Sequence, residues 1–358
     1  MKVKVLLIGP SIHGTKGGMA TVIHGMLTSP VLSAGVSYRY LSSHSEKNNF
    51  IKFIKAVYSW SVAFFTVGKY DIFHIHVASG ASFLRKSVFV LIAKAFRKKS
   101  ILHVHSSDFD NYYSNSGKYG KSYIRYILKS CSSIFVLSKY WKVFFENEIL
   151  ASSVHVLPNG VDPGMFKGCL NSPDTAYRDF LFLGRLGKRK GIYDLLDSID
   201  ILVNKENRGD IHFYFAGDGE IEKVSAKIKE KNLESHISLS GWIDNDGKLN
   251  HLGKTQTLLL PSYHEGLPMS ILEGMACGKT IISTKVGGIP DVVTNYENGL
   301  LVSPGNIQEL TDAISIILDN PDLAGQIGKR NVAKIAGDYN LTAIHKKVLE
   351  HYMSLINN

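Results

Sequence analysis

The stretch Thr257-Leu-Leu-Leu260-Pro-Ser-Tyr-His-Glu265-Gly-Leu-Pro268-Met-Ser-Ile-Leu-Glu273-Gly-Met-Ala-Cys-Gly278, followed by Thr280 to Ser283, carries the grammar of the fold. Thr257 to Leu260 is a short run with no polar alternation, the pattern of a strand buried on both faces. Turn formers follow, and Pro268 suits the first turn of a helix. This strand-loop-helix order places residues 261–268 at a strand's carboxyl end, where open α/β sheets take ligands. Glu265 lies in that loop. Glu273 lies about one and a half turns inside the helix, at 3.6 residues per turn. A loop carboxylate can accept from a polyhydroxylated ligand, and a helix carboxylate can take a pair of ribose hydroxyls. A helix-entry cap and an exposed helix acid are the plainer uses of the same two residues.

Working outward, the same order recurs along the chain. Val3 to Ile8 is an apolar run that leads through a Gly-rich loop into Met19-Ala-Thr-Val-Ile. Phe180 to Leu183 leads through a basic loop into Tyr193-Asp-Leu-Leu. Further runs are Ile72 to Val77, Ile101 to Val104, Ile134 to Leu137, Val154 to Leu157, Ile211 to Ala216 and Ile237 to Leu239. Helical spacing lies between most of them, so the plan is a doubly wound α/β fold repeated twice. Turn formers cluster at Pro158 to Gly164, and a polar stretch runs from Lys167 to Asp179, which together mark a linker. The expected domains are 1–164, 165–340 and a terminal helix, 341–358.

The chain has 358 residues, with 41 Lys+Arg against 31 Asp+Glu. Residues 1–165 hold 20 basic and 7 acidic side chains, a net of +13; residues 166–358 hold 21 and 24, a net of −3. The basic half calls for an anionic partner: nucleic acid, phospholipid head groups or a phosphorylated substrate. Cys131, Cys169 and Cys277 are scattered and odd in number, which fits a reducing compartment. The start reads as a first strand, since no cleavage site follows Val5 to Ile8. The longest apolar candidate, Ala56 to Gly68, is too short for a spanning helix.

Two more loops carry chemistry. In Gly184-Arg185-Leu-Gly-Lys-Arg-Lys190-Gly191, a guanidinium and an ammonium sit at a strand end, where they can hold a diphosphate. Lys188 and Arg189 read as a solvated turn. In Gly14-Thr-Lys-Gly17-Gly18, glycines let backbone N–H groups approach an anion at a helix N-terminus. Its spacing matches neither a dinucleotide loop nor a Walker loop, and a tight turn explains it equally well.

With these motifs in order, the chain resembles the retaining glycosyltransferases of family 4, which have the GT-B fold and an E-x7-E motif. Glu265 and Glu273 match that motif. Asp71-Ile-Phe-His-Ile-His76, Leu102-His-Val-His105-Ser-Ser-Asp108, Pro158-Asn-Gly-Val-Asp162, Gly217-Asp-Gly219 and Val286-Gly-Gly-Ile-Pro290 match further family segments. Asp291 stands where the family usually has Glu. The match is strong over residues 155–305 and weaker before residue 100.

The resemblance implies two Rossmann-like domains facing a central cleft, with the C-terminal helix crossing back to the first domain. It implies an acceptor-binding first domain and a donor-binding second domain. Arg185 and Lys190 would bind the donor diphosphate, and Glu273 its ribose. Glu265, with the N–H groups of Gly266 and Leu267, would face the transferred sugar. Trp242 and Ile243 would flank the base, Gly17 and Gly18 would approach the diphosphate, and His105 would act beside the reacting sugar. The implied activity is metal-independent transfer of a hexose or N-acetylhexosamine from a nucleotide sugar, UDP favoured. The acceptor would be a saccharide on a polyprenyl pyrophosphate, in surface-polysaccharide assembly at the cytoplasmic face of the membrane. No cofactor is expected.

Other signals are weaker. Asp108-Phe-Asp110 and Asp244-Asn-Asp246 match the short DxD of metal-dependent sugar transferases, but read as loop and turn acids. His74 with His76, and His103 with His105, lie pairwise on one strand face; two histidines without acid or thiol partners are a poor metal site. Phe50 to Phe65 is rich in aromatics, with Lys52 and Lys55 near its start. It reads either as a core helix or as an interfacial helix on anionic lipid. A nucleotide-sugar epimerase on the same fold remains an alternative. A basic nucleic-acid-binding protein would explain the charge of the first half but not Arg185, Glu265 and Glu273.

Overall fold

The computed structural model describes residues 2–12, 17–44, 49–170 and 177–357. The chain divides into two units, residues 1–160 with 341–358, and residues 161–340. Gly14, Thr15 and Lys16 of the first Gly-rich loop, and residues 171–176 of the linker, lie outside the described residues.

The apolar runs become parallel strands. In the first unit they are β1 (Val3–Pro10), β2 (Val36–His44), β3 (Ile72–Val77), β4 (Lys99–Val104), β5 (Ser133–Val136) and β6 (Val154–Val156). They form one six-stranded sheet in the order β2-β1-β3-β4-β5-β6. In the second unit they are β7 (Asp179–Leu183), β8 (His212–Ala216), β9 (Ile237–Gly241), β10 (Thr257–Leu260), β11 (Thr280–Thr284) and β12 (Leu300–Val302), in the order β12-β11-β10-β7-β8-β9. Each sheet reverses its strand order once, between β1 and β3 in the first unit and between β7 and β10 in the second. These switch points are where doubly wound sheets bind ligands.

Burial explains the unbroken apolar runs. Leu6 and Ile8 of β1 enter one core with Phe73, Ile75 and Val104. Val5 and Leu7 face the opposite way, into a core shared with Ile72, Ile101 and Phe135. The terminal helix Leu341–Asn357 supplies Ile344, Val348 and Tyr352 to that second core.

Two strands escape the sequence reading. β2 alternates, with Val36 buried and Ser37 and Arg39 exposed, because it is an edge strand with a wet face. β12 is three residues long, also at an edge, and too short to show a period. The aromatic stretch is also longer than the Ala56 to Gly68 run. The helix Asn49–Thr66 with its following turn makes Phe50–Lys69, 20 residues, long and apolar enough to cross a membrane by length and composition. Lys52 and Lys55 interrupt the apolar run without interrupting the helix, which corrects the expectation that this segment is too short.

Candidate active site

At the second unit's switch point the loops leaving β7 and β10 meet. Gly191, after β7, has φ 71°, and a Cβ there would stand 2.0 Å from the Pro261 carbonyl oxygen. Only glycine fits such an approach. Gly287, with φ 53°, is held as closely over the Glu265 carbonyl, 1.8 Å from where its Cβ would be. The Gly288 N–H donates to the Gly266 carbonyl at 2.8 Å. The backbone carrying Glu265 is therefore fixed from two sides.

Glu265 is 5% exposed. Its Oε1 accepts from Lys190 Nζ in an ion pair and from Ser262 Oγ at 2.7 Å. Lys190 and Glu265 thus come together across the switch point, as their positions at two strand ends require. Arg189 donates to the His264 carbonyl at 2.9 Å, a bond that orders the loop. Arg185 is different. Its guanidinium lies 3.8 Å from Asp218 with most of its side chain in solvent. An exposed pair of that length constrains the side chain little, so Arg185 is held loosely near the same strand end.

Glu273 is 6% exposed, in the helix Met269–Ala276. Pro268 caps that helix, one residue before the first-turn position expected from sequence. Lys248 Nζ donates to Glu273 Oε1 at 2.6 Å, so this acid is a buried, paired carboxylate rather than an exposed helix acid. Lys248 lies on the helix Asn245–Lys254, whose cap Asp244 follows Trp242 and Ile243. The pair ties the segment expected to flank the base to the acid expected on the ribose. Neither Lys248 nor Ser262 was identified from sequence. A lysine four residues after the helix cap Asp244 carries no spacing signal, because its partner is remote in the chain.

In the first unit, β3 and β4 put all four histidines on one sheet face. His76 Nδ1 meets His105 Nε2 at 2.8 Å, and His74 Nε2 meets His103 Nδ1 at 3.3 Å. His74 Nδ1 also contacts the Tyr352 hydroxyl. Nitrogens of His74, His76 and His103 lie within 4.8 Å of one another, a spacing a metal ion can bridge. Taking the histidines as two separate pairs obscures this trio, because strand register joins them. Burial pushes the His103 imidazole down to about 3, and burial followed by histidine neighbours lowers His74, His76 and His105 well below the ordinary range. The rings are neutral at pH 7. Among the described residues, the buried Nε2 atoms of His76 and His103 have no hydrogen-bond partner. Gly17 precedes the helix Gly18–Thr28 with φ 134°, and no atom of the described residues lies within 4 Å of where its Cβ would be.

The short acidic motifs act as loop and cap residues. Asp244 caps its helix by accepting from Gly247 N–H at 2.8 Å. Asp108 accepts from Asn111 Nδ2 at 2.7 Å, and Asp110 from the Tyr140 hydroxyl at 3.2 Å.

This architecture is shared with solved structures. The Anabaena protein HepE, crystallised with UDP and glucose, superposes with a TM-score of 0.77 over 98% of this chain and 100% of its own, at 16% identity. At that identity the likeness speaks for the fold. The sequence decides the family. Residues 17–164 match the family described as Glycosyltransferase Family 4, and residues 171–333 the family described as Glycosyl transferases group 1. An uncharacterized glycosyltransferase of Methanocaldococcus jannaschii is 32% identical over 259 residues, 72% of this chain and 68% of its own length.

The chain belongs to the glycosyltransferases of the GT-B fold.

This glycosyltransferase is also similar to an Escherichia coli enzyme named UDP-Gal:alpha-D-GlcNAc-diphosphoundecaprenol alpha-1,3-galactosyltransferase, 25% identical over 306 residues, 81% of this chain and 77% of that one. In the glycosyltransferase described above, Arg185, Lys190, Glu265 and Glu273 lie in the second unit and His105 in the first.

Proposed function

We propose that this glycosyltransferase is a retaining enzyme of family 4. It transfers a hexose or N-acetylhexosamine from a UDP-sugar to a saccharide acceptor carried on a polyprenyl pyrophosphate, in surface-polysaccharide assembly. The observation that carries the reading is the pair of lysine contacts to buried carboxylates, Lys190–Glu265 and Lys248–Glu273, around the second unit's switch point. The donor and acceptor classes follow from the named activity of the Escherichia coli relative.

The chemistry follows from charge. The bond from the anomeric carbon to the β-phosphate oxygen breaks, and negative charge develops on the diphosphate. Arg185 and Lys190 stabilise that charge, so the reading requires no metal. Glu273 holds the ribose, and Trp242 with Ile243 flanks the base. Glu265, with the Gly266 and Leu267 backbone, orients hydroxyls of the transferred sugar, and Gly17 and Gly18 approach the diphosphate. His105 acts beside the reacting sugar. The transition state has oxocarbenium character. The acceptor oxygen attacks the face the diphosphate leaves, and its proton passes to the departing phosphate oxygen. Proton NMR of the first product tests this: an α donor should give an α linkage, and inversion contradicts it.

The acceptor reading also uses the helix Asn49–Thr66. It buries only a narrow stripe, Ala56, Ser59 and Ala63, against its own unit. Phe53 is 61% and Phe65 81% exposed, with Phe50, Ile54, Val57 and Phe64 on the same outward side. Phe96, at the end of the helix Ala81–Ala95, packs on Phe64 at 5.3 Å between ring centroids and carries the patch towards exposed Arg97. Large apolar side chains turned outward, with cations at the flank, suit an anionic bilayer. We assign this face to peripheral attachment at the inner surface of the cell membrane. Flotation should show binding to vesicles containing phosphatidylglycerol and loss of binding in F53S/F65S. Equal failure to float with anionic and zwitterionic vesicles contradicts the assignment.

A further inference from the structure

Lys86 is 0% exposed, in the second turn of the helix Ala81–Ala95. Buried lysines ordinarily have a partner. The other fully buried lysine, Lys279, donates to the Cys169 carbonyl at 2.8 Å. Among the described residues Lys86 has no carboxylate partner, and its Nζ reaches only Met19 Sδ, at 3.9 Å. Four acids of the same unit have partners of their own: Asp71 accepts from the Lys4 N–H, Asp108 and Asp110 accept from Asn111, and Glu146 pairs with Lys142. The preceding residue, Arg85, has a buried Nε with no acceptor among the described residues. Burial, then Arg85, pushes the Lys86 ammonium down to about 7.

Its place in the fold is specific. Lys86 lies on the helix that follows β3, and Met19 lies in the first turn of the helix that follows β1. Those strands flank the first unit's switch point. His76 is the penultimate residue of β3 and His105 directly follows β4. The Lys86 charge acts on both rings. The first N–H groups of the helix Gly18–Thr28 lack intrahelical acceptors. Next to them, no atom of the described residues lies within 4 Å of where a Gly17 Cβ would be. Among the described residues, a buried lysine without a carboxylate partner and a helix start thus lie on the helices that follow β1 and β3, with a flexible methionine against the lysine.

We propose that Lys86 is an anion-binding residue that receives a substrate phosphate at this switch point, with Met19 moving aside. This rests on the phosphate-bearing substrates proposed above. The phosphate could belong to the donor diphosphate or to the pyrophosphate of the acceptor, since either presents the same oxygens to an ammonium.

The test compares the full-length R185A/K190A protein with R185A/K190A/K86M, which removes the second unit's cations from the comparison. Inorganic pyrophosphate should raise the Tm of the first and leave the second unchanged. Without ligand, Lys86→Met alone should raise Tm, because it removes an unpaired buried charge. Lys86→Gln serves as the second variant should methionine pack poorly. In the otherwise native protein, K86M should lower kcat/KM at least tenfold. Loss of the UDP-induced Tm shift assigns the phosphate to the donor. An unchanged UDP shift with a raised KM for a farnesyl-diphosphate-linked acceptor assigns it to the acceptor. Absence of a pyrophosphate shift in R185A/K190A, or its survival in the triple variant, overturns the proposal. Full turnover by R185A/K190A would instead overturn the donor reading while leaving the Lys86 result to stand by itself.

Discussion

Lys190 and Glu265 are 75 residues apart and share one largely buried ion pair across the switch point of the second sheet. The pair stores each charge against the other until a ligand arrives. In the proposed reaction a diphosphate would compete with Glu265 for the Lys190 ammonium and free the carboxylate for sugar hydroxyls. Removing either partner leaves a buried charge unmatched, so each single variant should be worse than an exposed lysine or glutamate variant would be.

Lys190→Ala should therefore lower kcat/KM by roughly a hundredfold or more, the scale of losing one charge-stabilising group at a reacting centre. Glu265→Gln should lower kcat more than it raises the donor KM, if Glu265 acts on the transferred sugar. Steady-state kinetics with a UDP-sugar and a soluble acceptor analogue check both. A Lys190→Ala enzyme within twofold of the native rate would contradict the assignment.

Glu273 and Lys248 should act on donor affinity. Hydrogen bonds to charged groups contribute about 1.5–3 kcal/mol, so Glu273→Gln should weaken UDP binding by roughly ten- to a hundredfold. Lys248→Met should weaken it less, because Glu273 keeps its position on the helix but loses the partner that orients it. Calorimetric titration with UDP measures both. Equal affinity in all three proteins would remove Glu273 from the ribose site.

The buried histidines set an acid limit on stability. His74, His76 and His103 are held below the ordinary histidine range by burial, His103 to about 3. The unfolded chain, with histidines near 6.5, then binds more protons below that pH. Their contribution is fully present above about 6.5 and falls as the pH drops towards 3, by up to about 1.4 kcal/mol per pH unit for each ring. Urea unfolding should show the midpoint dropping between pH 7 and pH 5. His103→Phe should flatten that slope. A pH-independent midpoint over that interval would contradict the buried, neutral cluster.

Gly191→Ala should destabilise the second unit and lower activity together. The added Cβ meets the Pro261 carbonyl, and the left-handed conformation is costly for alanine. A fall of about 2 kcal/mol or more in unfolding free energy is expected from the combined strain. Gly253→Ala, in open space on an exposed helix, is the control and should be neutral or stabilising.

The central strands of both sheets were legible because each is buried on two faces and so leaves an unbroken apolar run, as in Ile72–Val77 and Thr257–Leu260. β2 and β12 were not, because edge strands alternate or are too short. At the site, Arg185, Lys190 and Glu265 were readable from their places at strand ends, since topology alone brings those ends together. Lys248 and Lys86 were not, because the partner of Lys248 is remote in the chain and Lys86 has no carboxylate partner among the described residues; Ser262 was not, because a serine three residues before an acid carries no signal by itself. The histidine trio shows the same limit: spacing within a strand gives a face, and only register between strands gives a cluster.

The most direct test of the central claim is a crystal structure of the protein with UDP bound. The account predicts the diphosphate within hydrogen-bonding distance of Arg185 and Lys190, the Lys190–Glu265 contact opened, and the ribose hydroxyls on Glu273. Nucleotide density elsewhere, with the Lys190–Glu265 pair intact, would contradict it.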